Sequence, residues 1–143
     1  MDIRKIKLED MDDVFRLLNE LYKNKIQYDK FKEIYIQKLN DVNSYYIVAV
    51  VDEKIVGVLI SELQVQLHRS KKRGYIIDLI VDENYRNQGI GKALLENAIN
   101  YAKDSDCEVV DLSSYITNDN AHRFYEKNGF IKHSYMFKMY LNQ

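Results

Sequence analysis

The chain has 143 residues, with 21 lysines and arginines against 22 aspartates and glutamates, for a formal net charge of -1. That length suits one domain, 1–143, with a substantial core, and the balanced charge gives no pull toward nucleic acid or an anionic membrane, so neither is expected as a partner. A single cysteine, Cys107, excludes an internal disulfide, the N-terminal MDIRKIKLED lacks an apolar signal core, and no run is long enough to span a bilayer; a cytoplasmic protein is expected.

In chain order, Asp2 to Lys7 alternates Ile3 and Ile6 with charge and predicts a short strand. From Asp10, the residues Met11, Val14, Leu17, Leu18 and Leu21 recur at helical spacing. A second, weaker helix is expected over Asp29 to Leu39. The period then changes: SYYIVAVV (Ser44 to Val51) is short and rich in β-branched and aromatic residues, as strands are. Asp52-Glu53-Lys54 predicts a hairpin turn, and Ile55 to Gln66 a long returning strand. The basic loop HRSKKRG follows, then the apolar strand YIIDLIV (Tyr75 to Val81), interrupted by one acid. Ile90, Ala93, Leu94, Ala98, Tyr101 and Ala102 mark an amphipathic helix to about Lys103. Glu108 to Ser114 predicts a strand, Asn120 to Lys127 a short helix stopped by Asn128-Gly129, and Phe130 to Lys132 and Tyr135 to Leu141 two closing strands. The order β-α-α-β-β-β-α-β-α-β-β implies an α/β (α+β) fold, a mixed sheet with helices on both faces.

The stretch YRNQGIGKAL, Tyr85 to Leu94, carries the clearest chemical signal. It is not a nucleotide P-loop, because Arg86 stands where the first glycine belongs and Ala93 replaces the magnesium-binding Ser/Thr. A dinucleotide-binding G-x-G-x-x-G fails at Leu94, and the motif follows three antiparallel-type strands instead of opening the fold. What both ideas share survives. A helix N-terminus offers free N–H groups and a positive dipole end, glycines at 89 and 91 admit an anion to the backbone, and Arg86 adds charge. A helix entry whose glycines serve packing alone fits this loop by itself equally well.

The flanks resolve the choice. Arg86-Asn87-Gln88-Gly89-Ile90-Gly91 fits the R/Q-x-x-G-x-G/A signature of the GCN5-related N-acetyltransferase (GNAT) superfamily, and NDNAHRFYEKNGF resembles that family's second signature at Asn118, Ala121, Phe124, Tyr125, Glu126, Lys127, Gly129 and Phe130. Residues 1–43 match only in outline. The resemblance implies the GNAT acyl-CoA N-acyltransferase fold and an N-acetyltransferase that moves the acetyl group of acetyl-CoA to a primary amine of a small molecule or protein, by direct attack in a ternary complex. A GNAT-fold module that binds acyl-CoA without catalysis is the alternative. In the family, the strand here spanning Leu79, Ile80 and Val81 splays from its parallel neighbour and pairs with the pantetheine arm. The loop Arg86, Asn87, Gln88, Gly89, Ile90, Gly91 and Lys92 wraps the pyrophosphate, Asn118 bonds the pantetheine arm, and Phe124 and Lys127 lie near the CoA. Homodimers are common in the family, and Tyr135 to Leu141 is available to one.

Acetyl transfer sets chemical demands. A primary ammonium has a pKa of ~10.4, so neutralising it at pH 7 costs roughly 4.6 kcal/mol, enough to favour a base. The developing oxyanion wants a fixed donor, for which a backbone N–H at Leu79 or Ile80 is available. Tyr125 corresponds to the family's general acid toward the thiolate. Asp78, the only charge in YIIDLIV, is the candidate base or amine anchor, expected to point opposite Ile77 and Leu79 on a regular strand. Many relatives hold an acid one position earlier, where Ile77 stands here, so a structural role for Asp78 is equally open. Glu62 is a weaker alternative. The acceptor pocket is expected from Tyr22, Tyr28, Phe31, Tyr35 and the HRSKKRG loop, each of which also fits an ordinary half-buried surface. Cys107 lacks an activating base, and the histidines His68, His122 and His133 lack zinc spacing, so no metal is expected.

Overall fold

The computed structural model describes residues 1–142. Among them the sequence periods become five strands and four α-helices: β1 (Asp2–Lys5), α1 (Met11–Leu21), α2 (Tyr28–Leu39), β2 (Ser44–Val51), β3 (Lys54–Gln64), β4 (Lys72–Val81), α3 (Ile90–Asp104), β5 (Cys107–Leu112) and α4 (Asp119–Lys127). The strands lie in one sheet in the order β1-β2-β3-β4-β5, antiparallel except for the parallel pair β4 and β5. The chain forms two compact units, one over Met1–Leu112 that holds the sheet and α1 to α3, and one that begins at Ser113 and holds α4.

The first unit is built on both faces of the sheet. On one face, Val14, Leu17 and Leu18 of α1 and Tyr35 of α2 pack with Val48, Val58, Ile60 and Ile80. Each such aliphatic side chain contributes about 1.5–3 kcal/mol when fully buried. On the other, Leu94 and Leu95 of α3 are fully buried. α3 sits so close to β3 that a Cβ at Gly57 would fall 2.9 Å from Leu94 Cδ1 and 3.2 Å from Ile90 Cγ2. Gly57→Ala is therefore expected to destabilise the protein by about 1–2 kcal/mol through overpacking, readable as a lower urea midpoint with unchanged m-value.

Chain entry into α1 is held by Asp10, whose carboxylate accepts two hydrogen bonds from Arg4 (2.7 and 3.0 Å) and one from the Lys7 N–H (2.7 Å). Burial pushes this carboxyl up, but Arg4 and the Lys7 N–H together hold it below its ordinary 3.8. Its folded pKa is thus depressed, so its stabilisation is complete well above 3.8 and is lost as pH falls through the folded value. Asp10→Asn is expected to cost about 2 kcal/mol at pH 7, with the deficit shrinking toward pH 3 in urea titrations run at both pH values.

Several boundaries differ from the sequence pattern. β3 ends at Gln64, paired with Arg73 of β4, so the alternating Val65 and Leu67 lie beyond the ladder at 84% and 109% exposure. β4 starts at Lys72, inside the basic HRSKKRG run, and Cys107 opens β5. The order with two closing strands requires correction: Phe130–Lys132 and Tyr135–Leu141 are not strands. Their alternation meets no ladder partner among the described residues, and Tyr135, Phe137, Met139 and Leu141 are exposed. Strand propensity expresses itself only where neighbouring backbone completes the hydrogen bonds.

Candidate active site

A gap in the sheet organises the site. β4 and β5 pair in parallel only from Lys72–Cys107 to Ile76–Leu112, whereas β4 stays paired with β3 out to Val81–Gly57. Residues 77–81 therefore turn one backbone edge away from any strand of the sheet. Leu79, Ile80 and Val81 lie in this stretch, and an open strand edge can accept an extended ligand as it would a neighbouring strand.

Just beyond the gap lies the glycine loop. Asn87 and Gly89 have φ of 61° and 82°, both left-handed. Asparagine tolerates that region and glycine enters it without a Cβ penalty. Gly89 is the N-cap of α3 and offers no side-chain cap. The first helical bond runs from Ala93 N–H to Gly89 C=O (3.0 Å), leaving the first-turn N–H groups of Ile90, Gly91 and Lys92 for an external acceptor. Arg86 is tethered rather than loose: its Nε donates to the Val81 carbonyl at 3.0 Å, tying the loop to the end of β4. Lys92 is exposed and lies 3.9 Å from Glu96. Gln88 is exposed.

Asp78 departs from the regular-strand expectation. The β3–β4 register pairs Ile60 with Asp78 but Ser61 with Ile76, so Ile77 is an extra residue in a bulge. The bulge breaks the alternation and sets Asp78 on the same face as Ile60 and Ile80, toward α1. There Tyr22, the residue that closes α1, donates its hydroxyl to Asp78 Oδ1. Burial pushes the Asp78 carboxyl above its ordinary 3.8, and the Tyr22 hydroxyl pulls it partly back. Among the described residues Asp78 has no cationic partner, which is unusual for a half-buried carboxylate.

Other candidates are occupied. Glu62 accepts from Lys38 Nζ (3.3 Å) and from the Tyr46 hydroxyl (3.4 Å). Tyr28 donates to Asp12 (2.8 Å) and Tyr35 to the Lys7 carbonyl (2.6 Å), while Phe15 packs edge-on against Tyr28 and Phe31. These rings join α1 to α2, and of the four aromatic candidates it is Tyr22 whose hydroxyl meets Asp78 of β4. The basic run is largely neutralised: Arg69 meets Glu108 (3.5 Å), Lys71 meets Asp106 (3.4 Å), and Arg73 meets Asp111 (2.7 Å) while lying over the Tyr75 ring. It is a poor attractor for an acidic acceptor. Burial pushes the Cys107 thiol up, away from nucleophilic use.

In the second unit, Asn118 is the N-cap of α4: its Oδ1 accepts from Ala121 N–H at 3.1 Å. Its amide N–H donors remain for a ligand. The Tyr125 ring makes edge contacts with Phe124 (5.4 Å) and Phe130 (5.8 Å), and Lys127 is exposed on the last turn. Among the described residues no helix is long and apolar enough to cross a membrane, and no three His, Cys, Asp or Glu side chains cluster as metal ligands would. The sequence offers Tyr22 as one of four acceptor-pocket aromatics, but nothing in it pairs that tyrosine with Asp78, 56 positions away.

The sequence matches the profile of the acetyltransferase (GNAT) family over residues 11–130. It is 33% identical over 136 residues to an aminoalkylphosphonate N-acetyltransferase of Salmonella typhimurium, covering 95% of this chain and 88% of that one. The fold superposes on a Bacillus halodurans C-125 protein described as a transcriptional regulator, with a TM-score of 0.92 at 27% identity, covering 98% of this chain and 99% of that one. It also superposes on an aminoglycoside acetyltransferase from an uncultured soil metagenomic sample, in complex with sisomicin, with a TM-score of 0.84 at 27% identity, covering 99% and 95%.

Proposed function

We propose, from the premise that this chain belongs to the acetyltransferase (GNAT) family and is an acetyltransferase, that it transfers the acetyl group of acetyl-CoA to the primary amine of a small cationic acceptor, by direct attack with both substrates bound. The observation that carries this reading is the wedge where β4 leaves β5 at Ile76, placed beside the uncapped start of α3. Two relatives that match along nearly their whole length are named for small amino compounds, an aminoalkylphosphonate and an aminoglycoside.

In this reading the backbone edge of Leu79, Ile80 and Val81 pairs with the pantetheine arm. The N–H groups of Ile90, Gly91 and Lys92, with Asn87, Gln88 and Gly89 shaping the turn, receive the pyrophosphate. Arg86 holds the loop against β4 and adds positive charge. Asn118 donates its amide to the pantetheine arm, and Phe124 and Lys127 flank the cofactor. Asp78 takes one proton from the incoming ammonium, which frees the nitrogen lone pair. A C–N bond then forms at the thioester carbonyl, whose oxyanion is met by the backbone N–H of Leu79, since Ile80 faces Val58 in the ladder phase that bonds the Asp82 N–H to the Val56 carbonyl. As the C–S bond breaks, Tyr125 gives its proton to the departing sulfur, and the second amine proton restores it through solvent. One proton ends on the CoA thiol and one is released, which balances the reaction.

Two measurements test this. Calorimetry with acetyl-CoA is expected to show one site per chain, and heat-free mixing would refute the cofactor assignment. Free-thiol release is then followed with an aminoalkylphosphonate, an aminoglycoside and a peptide α-amine. Turnover confined to the peptide would overturn the small-acceptor assignment, and turnover with none would overturn the reaction.

A further inference from the structure

We propose that Tyr22 is a positioning residue for this reaction: its hydroxyl orients the Asp78 carboxylate, so that the pair forms a receiving site for a primary ammonium. The inference rests on the amine-acetylating reading above and assigns its acceptor-side chemistry. Three observations converge. The bulge at Ile77 turns Asp78 toward α1 rather than along the strand's regular alternation. The last turn of α1 delivers the Tyr22 hydroxyl to Asp78 Oδ1. No cation among the described residues pairs with that carboxylate, which leaves it open to a cationic ligand.

The groups around Asp78 support this. The facing residue on β3 is Ile60, and Ile80 lies two positions along on the same face, so the strand neighbours of Asp78 are apolar there. The other ionisable groups facing this side of the sheet include Glu62, held by Lys38 and Tyr46, Tyr75, whose ring lies beneath the Arg73 guanidinium at 4.5 Å, Asp82, held by Arg16 of α1 at 3.2 Å, and Glu20 of α1, which lies 3.9 Å from Arg86. Arg73 itself is engaged by Asp111 at 2.7 Å. Burial raises the Asp78 pKa, and the Tyr22 hydrogen bond is the influence that lowers it. The hydroxyl therefore favours the charged form of the carboxyl, the form that can take a proton. The hydroxyl also occupies one oxygen, leaving Oδ2 as the free acceptor for the incoming N–H.

The test is Tyr22→Phe, which keeps the ring of a residue 40% exposed and removes only the hydroxyl; circular dichroism verifies the fold. The Asp78 carboxyl is titrated by carbon-detected NMR in the ligand-free protein, and kcat/KM is followed against pH with the panel amine that turns over fastest. The Asp78 midpoint is expected to move up, by about one unit if the hydroxyl is worth tenfold. The acid limb of kcat/KM is expected to move with it, giving about tenfold loss below the limb and less than about threefold loss above it. In an Asp78→Asn background, Tyr22→Phe is expected to leave the pH profile unchanged. An Asp78 midpoint that stays or falls overturns the positioning role, and a midpoint that moves without the acid limb overturns the ammonium site. Should no amine be turned over by the wild-type protein, the reaction reading fails, yet the carboxyl titration still decides the role of Tyr22.

Discussion

Asp78→Asn is expected to lower kcat/KM for the amine acceptor by about 10²–10⁴, the range over which a positioned acid–base group contributes. Asparagine nearly matches aspartate in shape and can still accept from Tyr22, so the packing around Ile60 and Ile80 is preserved. What it cannot do is take a proton or balance an ammonium. The loss is expected to ease as pH rises toward the amine's own pKa, where the nitrogen arrives neutral, and that recovery separates a lost base from a lost fold. Stability provides a second separation. Burial holds the folded Asp78 pKa above 3.8, so the ionised carboxylate costs stability once pH exceeds the unfolded value, and the full cost applies above the folded one. Asp78→Asn is therefore expected to melt higher than wild type near pH 8 and to match it near pH 3. An inactive variant with a lower melting temperature at pH 8 would refute this account of Asp78.

Tyr125→Phe is expected to reduce kcat by about 10²-fold with little change in the affinity for acetyl-CoA. The ring contacts with Phe124 and Phe130 survive the substitution, because both are edge contacts of the ring rather than of the hydroxyl. The loss therefore reports on proton delivery to sulfur. It is expected to be largest for the CoA thioester and to shrink for an acetyl thioester of a more acidic thiol, which leaves without help. Unchanged turnover would reduce Tyr125 to a packing residue. An equal penalty with both thioesters would place its contribution in geometry rather than proton transfer.

How far the sequence carried these assignments varies by residue. β2 is legible to the residue, because SYYIVAVV combines β-branched and aromatic side chains with a hairpin turn directly after it. α3 is legible because its apolar stripe and the glycines before it report local needs of the backbone. The end of β3 and the two closing segments were misleading for one shared reason. Alternation signals a face, whereas a strand also needs a ladder partner, and Val65, Leu67 and the segments after Phe130 have none among the described residues. Asn118 illustrates a middle case: its place in the motif is readable, but only the fold shows that its Oδ1 caps α4 through the Ala121 N–H.

The sequence by itself determined the family signatures, the anion-ready start of α3 and the single acid in YIIDLIV, because each depends on spacing and on what one short stretch of backbone requires. Tertiary structure alone decided which way that acid faces and what meets it. The bulge at Ile77 exists only in the pairing of β4 with β3, and Tyr22 reaches Asp78 only because α1 packs on that face of the sheet. Tertiary pairing also cancelled most of the basic run, whose charges look free in one dimension and are met by Asp106, Glu108 and Asp111 in three. Charge, burial and hydrogen bonding act through space, so the chemistry of a side chain depends on partners that can lie 56 residues away along the chain.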